Sequence, residues 1–171
     1  MKMLKLLQLI KDNASATQAL TVHQEADAAT VLLYGVIGGY WGDIDAVNFA
    51  KQLAGIDAKT IHLRINSPGG DVFEARAMMT ALRQQSAHVI GHIDGLAASA
   101  ATGIAMACDE LEITRGANFM IHNAWTLALG NRHDMAAAAK MLEQVDGELA
   151  DDYAMRSKQG KAQIVTWMDD E

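Results

Sequence analysis

A serine surrounded by small residues is the first candidate for chemistry in this sequence. Ser99 lies in the run Gly-Leu-Ala-Ala-Ser-Ala-Ala-Thr-Gly at 95–103, between a β-branched run at 89–93 and an apolar helical pattern at 104–108. We therefore place Ser99 where a strand turns into a helix, beside the N–H groups of the helix N-terminus. Such a serine can attack a carbonyl group while the amide after it holds the oxyanion. The alternative, which this stretch taken alone favours, is a small residue packed in a buried helix.

A second unusual stretch is the turn Asn-Ser-Pro-Gly-Gly at 66–70, which contains the only proline of the chain. Its glycines leave backbone N–H groups unshielded, so the turn can donate hydrogen bonds to an anion or pair with an extended peptide laid alongside it. Asp71 follows as the expected N-cap of a helix. A tight connection between a strand and a helix, without further function, explains the turn equally well.

Histidine is the side chain that best takes a proton from serine at neutral pH, and His122 is the histidine that we select as this base. It ends the apolar run Phe-Met-Ile-His at 119–122. A lone histidine there is more often structural, and only the combination with Ser99 and the glycine turn favours catalysis. The other histidines show no metal-ligand spacing, so neither a metal site nor another cofactor is expected. They are His23, His62, His88, His92 and His133.

Strands and helices alternate along the chain and must position these residues. Strands are predicted at 19–23, 31–37, 60–66, 88–94, 110–114 and 119–122. Helices are predicted at 44–53 with Asp43 as N-cap, at 72–82, after Ser99, at 133–158 and at 162–168. This alternation predicts an α/β domain with a largely parallel sheet.

Composition limits the class of protein. With 171 residues, of which 50% are hydrophobic, the chain fits one domain over residues 1–171. A net charge of −7 without a Lys/Arg cluster disfavours nucleic-acid binding. The single cysteine, Cys108, lies in an apolar run and is predicted to be a buried, reduced thiol, which fits a cytoplasmic protein. No apolar run is long enough to predict a membrane segment, and Lys5 and Gln8 interrupt the one stretch that resembles a secretory signal.

The helix predicted at 133–158 is unusually long for a domain of this size. Its apolar positions would need cover if the helix were exposed. We therefore predict that it packs against another copy of the chain, which makes the protein a homo-oligomer.

Three stretches carry a resemblance to a known family. Ile-Asn-Ser-Pro-Gly-Gly at 65–70, Gly-Leu-Ala-Ala-Ser at 95–99 and Phe-Met-Ile-His-Asn at 119–123 resemble the proteolytic subunit of the Clp protease, and more closely its phage and prophage relatives. The resemblance begins at about residue 30 and leaves 1–30 as an N-terminal segment. It implies the α/β fold that Clp proteases share with crotonases, built of repeated ββα units, with a long protruding helix in the C-terminal half. It also implies a serine peptidase assembled as stacked rings around an enclosed chamber.

The resemblance also implies a role for each matching residue. Ser99 corresponds to the family's nucleophile and His122 to its general base. Gly70 and Ala100 correspond to the residues whose backbone N–H groups bind the oxyanion. Gly69 lies in the turn beside which we expect an extended substrate strand.

The acid that would complete a catalytic triad falls at the end of the chain. A gapless comparison puts Glu171 at the position of the family's aspartate. Because glutamate is longer than aspartate, Asp169 or Asp170 could serve instead, and a solvated acidic end is the alternative. Family members usually continue through a further strand and helix, so we expect this sequence to be incomplete at its C-terminus.

The function expected from these features is that of a serine endopeptidase, working without ATP or fed by an AAA+ unfoldase. If the phage-like resemblance holds, its substrates are capsid-assembly proteins such as scaffold or portal proteins, cleaved during head maturation in the cytoplasm of a bacterial host. Two alternatives remain open. One is a catalytically idle ring-forming subunit, and the other is a crotonase-like acyl-CoA enzyme, which would use paired backbone amides on a thioester.

Overall fold

The structure is a computed structural model that describes residues 19–38 and 44–170. Two sequence-based expectations lie outside the described residues: the start of the N-terminal segment and the role of Glu171. The chain divides into two compact units, one ending at Met120 and the other beginning at Ile121.

A six-stranded sheet is the main element of the first unit. Its strands are β1 (Ala19–Glu25), β2 (Ala28–Tyr34), β3 (Thr60–Ser67), β4 (His88–Ala98), β5 (Glu110–Ile113) and β6 (Asn118–Met120). The strand order is β1-β2-β3-β4-β5, and β6 pairs with the end of β4. β1 and β2 are antiparallel, whereas the pairs formed by β3, β4, β5 and β6 are parallel. The predicted largely parallel sheet is therefore confirmed.

Strand β2 differs from its predicted position at 31–37, since it begins at Ala28 and ends at Tyr34. The reason is a bend in the backbone at Gly35, which has a φ of +123°. Beyond this bend, Ile37 pairs with Gly70 in an isolated parallel bridge. The residues expected to complete a strand therefore contact the glycine turn instead.

Three helices of the first unit pack on the sheet. They are α1 (Ala46–Ala54), α2 (Val72–Arg83) and α3 (Ala100–Met106). The N-cap of α1 is Asp45, whose side chain accepts the N–H of Asn48, so the predicted cap at Asp43 and the predicted helix start at 44 are wrong. Ile44 instead pairs with Ile37 in an isolated parallel bridge. The helix ends at Gly55 as predicted. Asp71 caps α2, as predicted, by accepting the N–H groups of Phe73 and Glu74.

The core of the first unit lies between these helices and one face of the sheet. Strands β2 and β3 alternate strictly between buried and half-buried residues, so each contributes one apolar face. Cys108 is 2% exposed in this core, which confirms the prediction of a buried thiol. The largest fully buried side chains of the core are Leu33, Ile37, Ile44, Phe49, Leu53, Ile61, Leu63, Ile65, Met78, Ile93 and Ile104.

The second unit contains two helices, α4 (Arg132–Ser157) and α5 (Lys161–Asp170). α4 confirms the predicted long helix. It begins with a capping box between Asn131 and Asp134, and Lys158 ends it in the left-handed conformation. Among the helices of the described residues, none has both the length and the apolar character that crossing a membrane requires.

Replacing Asp71 with alanine should lower the free energy of unfolding by about 1 kcal/mol. The reason is that its carboxylate accepts the N–H groups of Phe73 and Glu74 at 2.8 and 2.9 Å. Urea denaturation followed by circular dichroism measures the effect. Asp57→Ala, at an exposed carboxylate outside any helix, is the control and should change stability by less than about 0.5 kcal/mol. Equal losses in the two variants would contradict a contribution from the cap.

Candidate active site

Ser99 lies between the last residue of β4 and the first residue of α3, as predicted from the sequence. Its backbone has φ +54° and ψ −129°, a conformation that costs a non-glycine residue about 1–3 kcal/mol. Hydrogen bonds on both sides hold this conformation. The Ser99 N–H donates to the Met120 carbonyl at 3.0 Å, and the Ser99 carbonyl accepts the N–H and hydroxyl of Thr102 at 3.0 and 2.5 Å. A strained serine at a strand-to-helix turn is the arrangement that exposes a nucleophilic hydroxyl.

The glycine turn after β3 lies directly against Ser99. Gly69 has a φ of +89°, and a Cβ atom on it would come within 2.5 Å of the Ala98 carbonyl oxygen and 2.8 Å of the Ala100 nitrogen. A side chain at Gly69 would therefore collide with the serine turn and cover the Ala100 amide. The Gly69 N–H donates to the hydroxyl of Ser67, which is fully buried.

Gly70 is held equally closely, on the other side of the turn. A Cβ atom on it would overlap the Ile37 carbonyl oxygen. The bridge between the two residues uses the Gly69 carbonyl, which accepts the Ile37 N–H at 2.8 Å, and the Asp71 N–H, which donates to the Ile37 carbonyl at 2.9 Å. In such a parallel bridge, the N–H of the central residue points away from its partner. The Gly70 amide is therefore directed away from Ile37.

Two backbone amides in the first unit are thus suited to bind an anion. Ala100 is the first residue of α3, where the helix provides no acceptor for its N–H. Gly70 presents its N–H on the side of the turn opposite Ile37. Neither donor depends on a side chain rotamer, because each is fixed by the surrounding backbone. The first unit therefore brings together four predicted site residues: Gly69, Gly70, Ser99 and Ala100.

The second unit carries His122 and the predicted acids. β6 ends at Met120, so His122 follows the strand rather than ending it, and it is 7% exposed. The next residue, Asn123, donates through its side-chain amide to Asp169 at 2.7 Å. Asp170 is the last residue of α5. The structure thus brings Asp169 next to the segment that contains His122.

Asp146 is a further acid beside this segment, and it is not among the residues predicted from the sequence. Its carboxylate accepts the Ala124 N–H at 2.6 Å. Burial raises the pKa of Asp146, and the negative charge of Asp169 raises it further by a smaller amount. The hydrogen bond from Ala124 and a protonated His122 lower this pKa. A signal was present in the sequence, since Asp146 lies four residues after Leu142 and three before Leu149, on the same helix face as the predicted apolar stripe.

Other ionisable groups meet on the face of the sheet opposite the helices. His62 and His92 are hydrogen bonded to each other at 2.9 Å, and Glu112 accepts from His92 at 2.9 Å. Arg64 forms two hydrogen bonds with Asp94. Within residues 19–38 and 44–170, no three His, Cys, Asp or Glu side chains are arranged to hold a metal ion.

A strained serine between a strand and a helix of an α/β fold, beside a glycine turn, is an arrangement typical of serine hydrolases. The chain belongs to the Clp protease family, because the Clp protease family model matches residues 36–171. Membership in this family indicates a serine peptidase. No curated protein matches the sequence.

Solved structures agree with this assignment of the fold. ClpP1 from Listeria monocytogenes is 23% identical, with a TM-score of 0.67, and a point mutant of the same ClpP1 is 22% identical, with a TM-score of 0.71. Each comparison covers 96% of this chain and 84% of the ClpP1 chain. The predicted ClpP-like α/β fold is confirmed.

Replacing Gly69 with alanine should lower the free energy of unfolding by more than about 2 kcal/mol. A methyl group there must adopt a positive φ and displace the backbone of Ala98 and Ala100. Gly147→Ala is the matched control, because a Cβ atom at this position of α4 has no atom within 4 Å. We expect that control to be neutral or stabilising by up to about 1 kcal/mol. Urea denaturation that ranks the two variants equally would contradict the close approach at Gly69.

Proposed function

We propose that this protein is a serine endopeptidase in which Ser99 is the nucleophile, acting as a single catalytic domain over residues 1–171. The observation that carries the proposal is the strained backbone of Ser99 beside the glycine turn. A serine hydroxyl attacks a peptide carbonyl only when a base removes its proton and donors stabilise the oxyanion. The amides of Gly70 and Ala100 are the donors that we propose.

The base in this proposal is His122. Chain connectivity supports it, because the Met120 carbonyl accepts the Ser99 N–H and His122 follows Met120 by two residues. In the first step, His122 takes the hydroxyl proton while the Ser99 oxygen bonds to the carbonyl carbon. The imidazolium then gives this proton to the leaving amine. In the second half of the reaction, His122 takes a proton from water, the water oxygen bonds to the acyl carbon, and the proton returns to the Ser99 oxygen as the acid is released.

The substrate in this proposal is a peptide bound as an extended strand beside Gly69 and Gly70. The lack of side chains at both positions supports such an approach of a second backbone. For the acid that orients His122, Asp169 is supported by its bond to Asn123, and Glu171 and Asp170 are the other candidates. The family match favours a peptidase over an acyl-CoA enzyme.

The assembly that we propose is a homo-oligomer of stacked rings, fed with polypeptide directly or by an AAA+ unfoldase. Exposed apolar side chains on α4, including Met135, Met141 and Met155, support burial against another copy. We further propose the cytoplasm of a bacterial host as its location. Its substrates there would be phage capsid-assembly proteins, such as scaffold or portal proteins, cleaved during head maturation.

A fluorophosphonate probe should form one covalent adduct with the wild-type protein, detected by intact mass. Ser99→Ala should abolish the adduct because it removes the attacking oxygen. His122→Ala should slow its formation by at least about 10³-fold because no base remains to take the proton. Ser86→Ala and His133→Ala replace exposed residues of the same types and should react like the wild type.

Labelling that persists in Ser99→Ala would contradict the assignment of the nucleophile. A folded, assembled wild-type protein that forms no adduct would favour the idle ring-forming subunit. Cleavage of an unstructured protein such as casein, measured with the same variants, would then extend the result from serine reactivity to peptidase activity.

Native mass spectrometry at micromolar concentration should show an assembly rather than a monomer. Met155→Glu should shift the population to smaller species, because it places a charge on an exposed apolar position of α4. Gln144→Glu adds the same charge at an exposed polar position of that helix and should leave the assembly intact. A wild-type monomer would contradict the proposed packing.

A further inference from the structure

A carboxylate on α4 holds the segment that contains His122. Residues 121–129 lie between β6 and α4 without regular secondary structure. Within this segment, the Ala124 N–H donates to Asp146 at 2.6 Å, although the two residues are 22 positions apart. A hydrogen bond from a backbone amide to a carboxylate is short and stronger than one between neutral groups. Asp146 therefore fixes the backbone two residues after the proposed base.

The surroundings of Asp146 affect its charge. It is half-buried, one position after the buried Val145. Burial is the largest effect on its pKa, which it raises, so the surroundings disfavour the ionised form. A protonated His122 lowers the pKa of Asp146 and so favours the ionised form. The charges of these two groups are thus coupled within the second unit.

Electrostatic coupling between two groups is reciprocal. Since an imidazolium at His122 favours the carboxylate of Asp146, the carboxylate favours the imidazolium by the same amount. A second charged group coupled to Asp146 lies on α5, where Asp169 raises the pKa of Asp146 and accepts a hydrogen bond from Asn123. Carboxylates from α4 and α5 therefore act on the same short segment.

We propose that Asp146 is a positioning residue for His122: its carboxylate fixes the backbone at Ala124 and stabilises the imidazolium that forms during acylation. This inference rests on the proposed function. It adds a carboxylate in the middle of α4 to the acid at the end of the chain that is proposed to orient His122. The carboxylate acts through its hydrogen bond to the segment and through its charge.

The test is a histidine titration that does not depend on catalysis. Intact protein labelled with ¹³C at the histidine Cε1 atoms is titrated by NMR, and the His122 signal is identified by its loss in His122→Gln. In Asp146→Asn, which keeps an oxygen acceptor for Ala124 but removes the charge, the apparent pKa of His122 should fall below the wild-type value. Asp146→Glu retains the charge and should restore most of the difference.

Glu143→Gln is the matched control for the loss of one carboxylate. Glu143 lies one turn before Asp146 on α4 and is exposed. Its variant should titrate like the wild type. The urea midpoint of Asp146→Asn should be equal to that of the wild type or higher, because the neutral amide is not subject to the burial that disfavours the carboxylate. If Asp146→Asn does not fold, Asp146→Ser provides an uncharged acceptor for the same titration.

The rate of fluorophosphonate labelling is measured as a function of pH on the same variants. Labelling needs a neutral imidazole, so the rate falls as the pH drops through the His122 pKa. Asp146→Asn removes a negative charge that favours the imidazolium, so this fall should move to lower pH. At pH values above this fall, the labelling rate of Asp146→Asn should be lower than that of the wild type by about tenfold or more. The reason is that the imidazolium formed in the reaction is less stabilised.

The His122 titration tests the inference about Asp146, and the labelling of the wild type tests the proposed peptidase activity. A wild-type protein that is never labelled, with a His122 titration that still responds to Asp146→Asn, would reject the peptidase and leave the coupling of Asp146 to His122 in place. A His122 titration that is unchanged in Asp146→Asn would overturn the inference about Asp146, whatever the labelling shows. A reduced rate with an unmoved pH profile would also overturn it, because that is the result of a purely structural role.

Discussion

Ser99 has a positive φ, which a non-glycine residue adopts only when the surrounding structure holds it there. The elements of the first unit around Ser99 are arranged to maintain this conformation. The carbonyl of Met120 and the hydroxyl and N–H of Thr102 supply the hydrogen bonds that hold it. The same requirement explains the absence of a side chain at Gly69, where a Cβ atom would meet the serine turn. Strain of this kind is common at catalytic nucleophiles, because it exposes the hydroxyl and the amide after it to a substrate.

The parallel sheet brings these parts together. Strands β3, β4 and β6 are parallel neighbours, so the residues that follow them emerge at one edge of the sheet. The glycine turn follows β3 and Ser99 follows β4. Backbone hydrogen bonds then fix the turn to Ile37 and Ser99 to Met120. The hydroxyl groups of Ser67 and Thr102 add to these bonds from within the same two turns. The two turns are therefore preorganised, which is the condition for electrostatic stabilisation by backbone amides.

The second unit shows the opposite situation, in which side chains fix a segment without regular secondary structure. Asp146 and Asp169 reach the residues after His122 from two different helices. Burial of Asp146 disfavours its charge, and a protonated histidine compensates for this effect. Ionisable groups kept in unfavourable surroundings beside a charged partner are typical of functional sites, because a solvated carboxylate on the surface would be more stable.

Four features were predictable from the sequence: the alternation of strands and helices, the position of Ser99 at a strand-to-helix turn, the Asp71 cap and the long helix. These features depend on periodicity and turn chemistry, which act over a few neighbouring residues. Three contacts follow only from the tertiary structure: the bridge between Ile37 and Gly70, the hydrogen bond between His62 and His92 on neighbouring strands, and the contact of Asp146 with the segment after His122. Each of these depends on strand register or on helix packing between residues far apart in the chain, and no local pattern specifies which distant residues will meet.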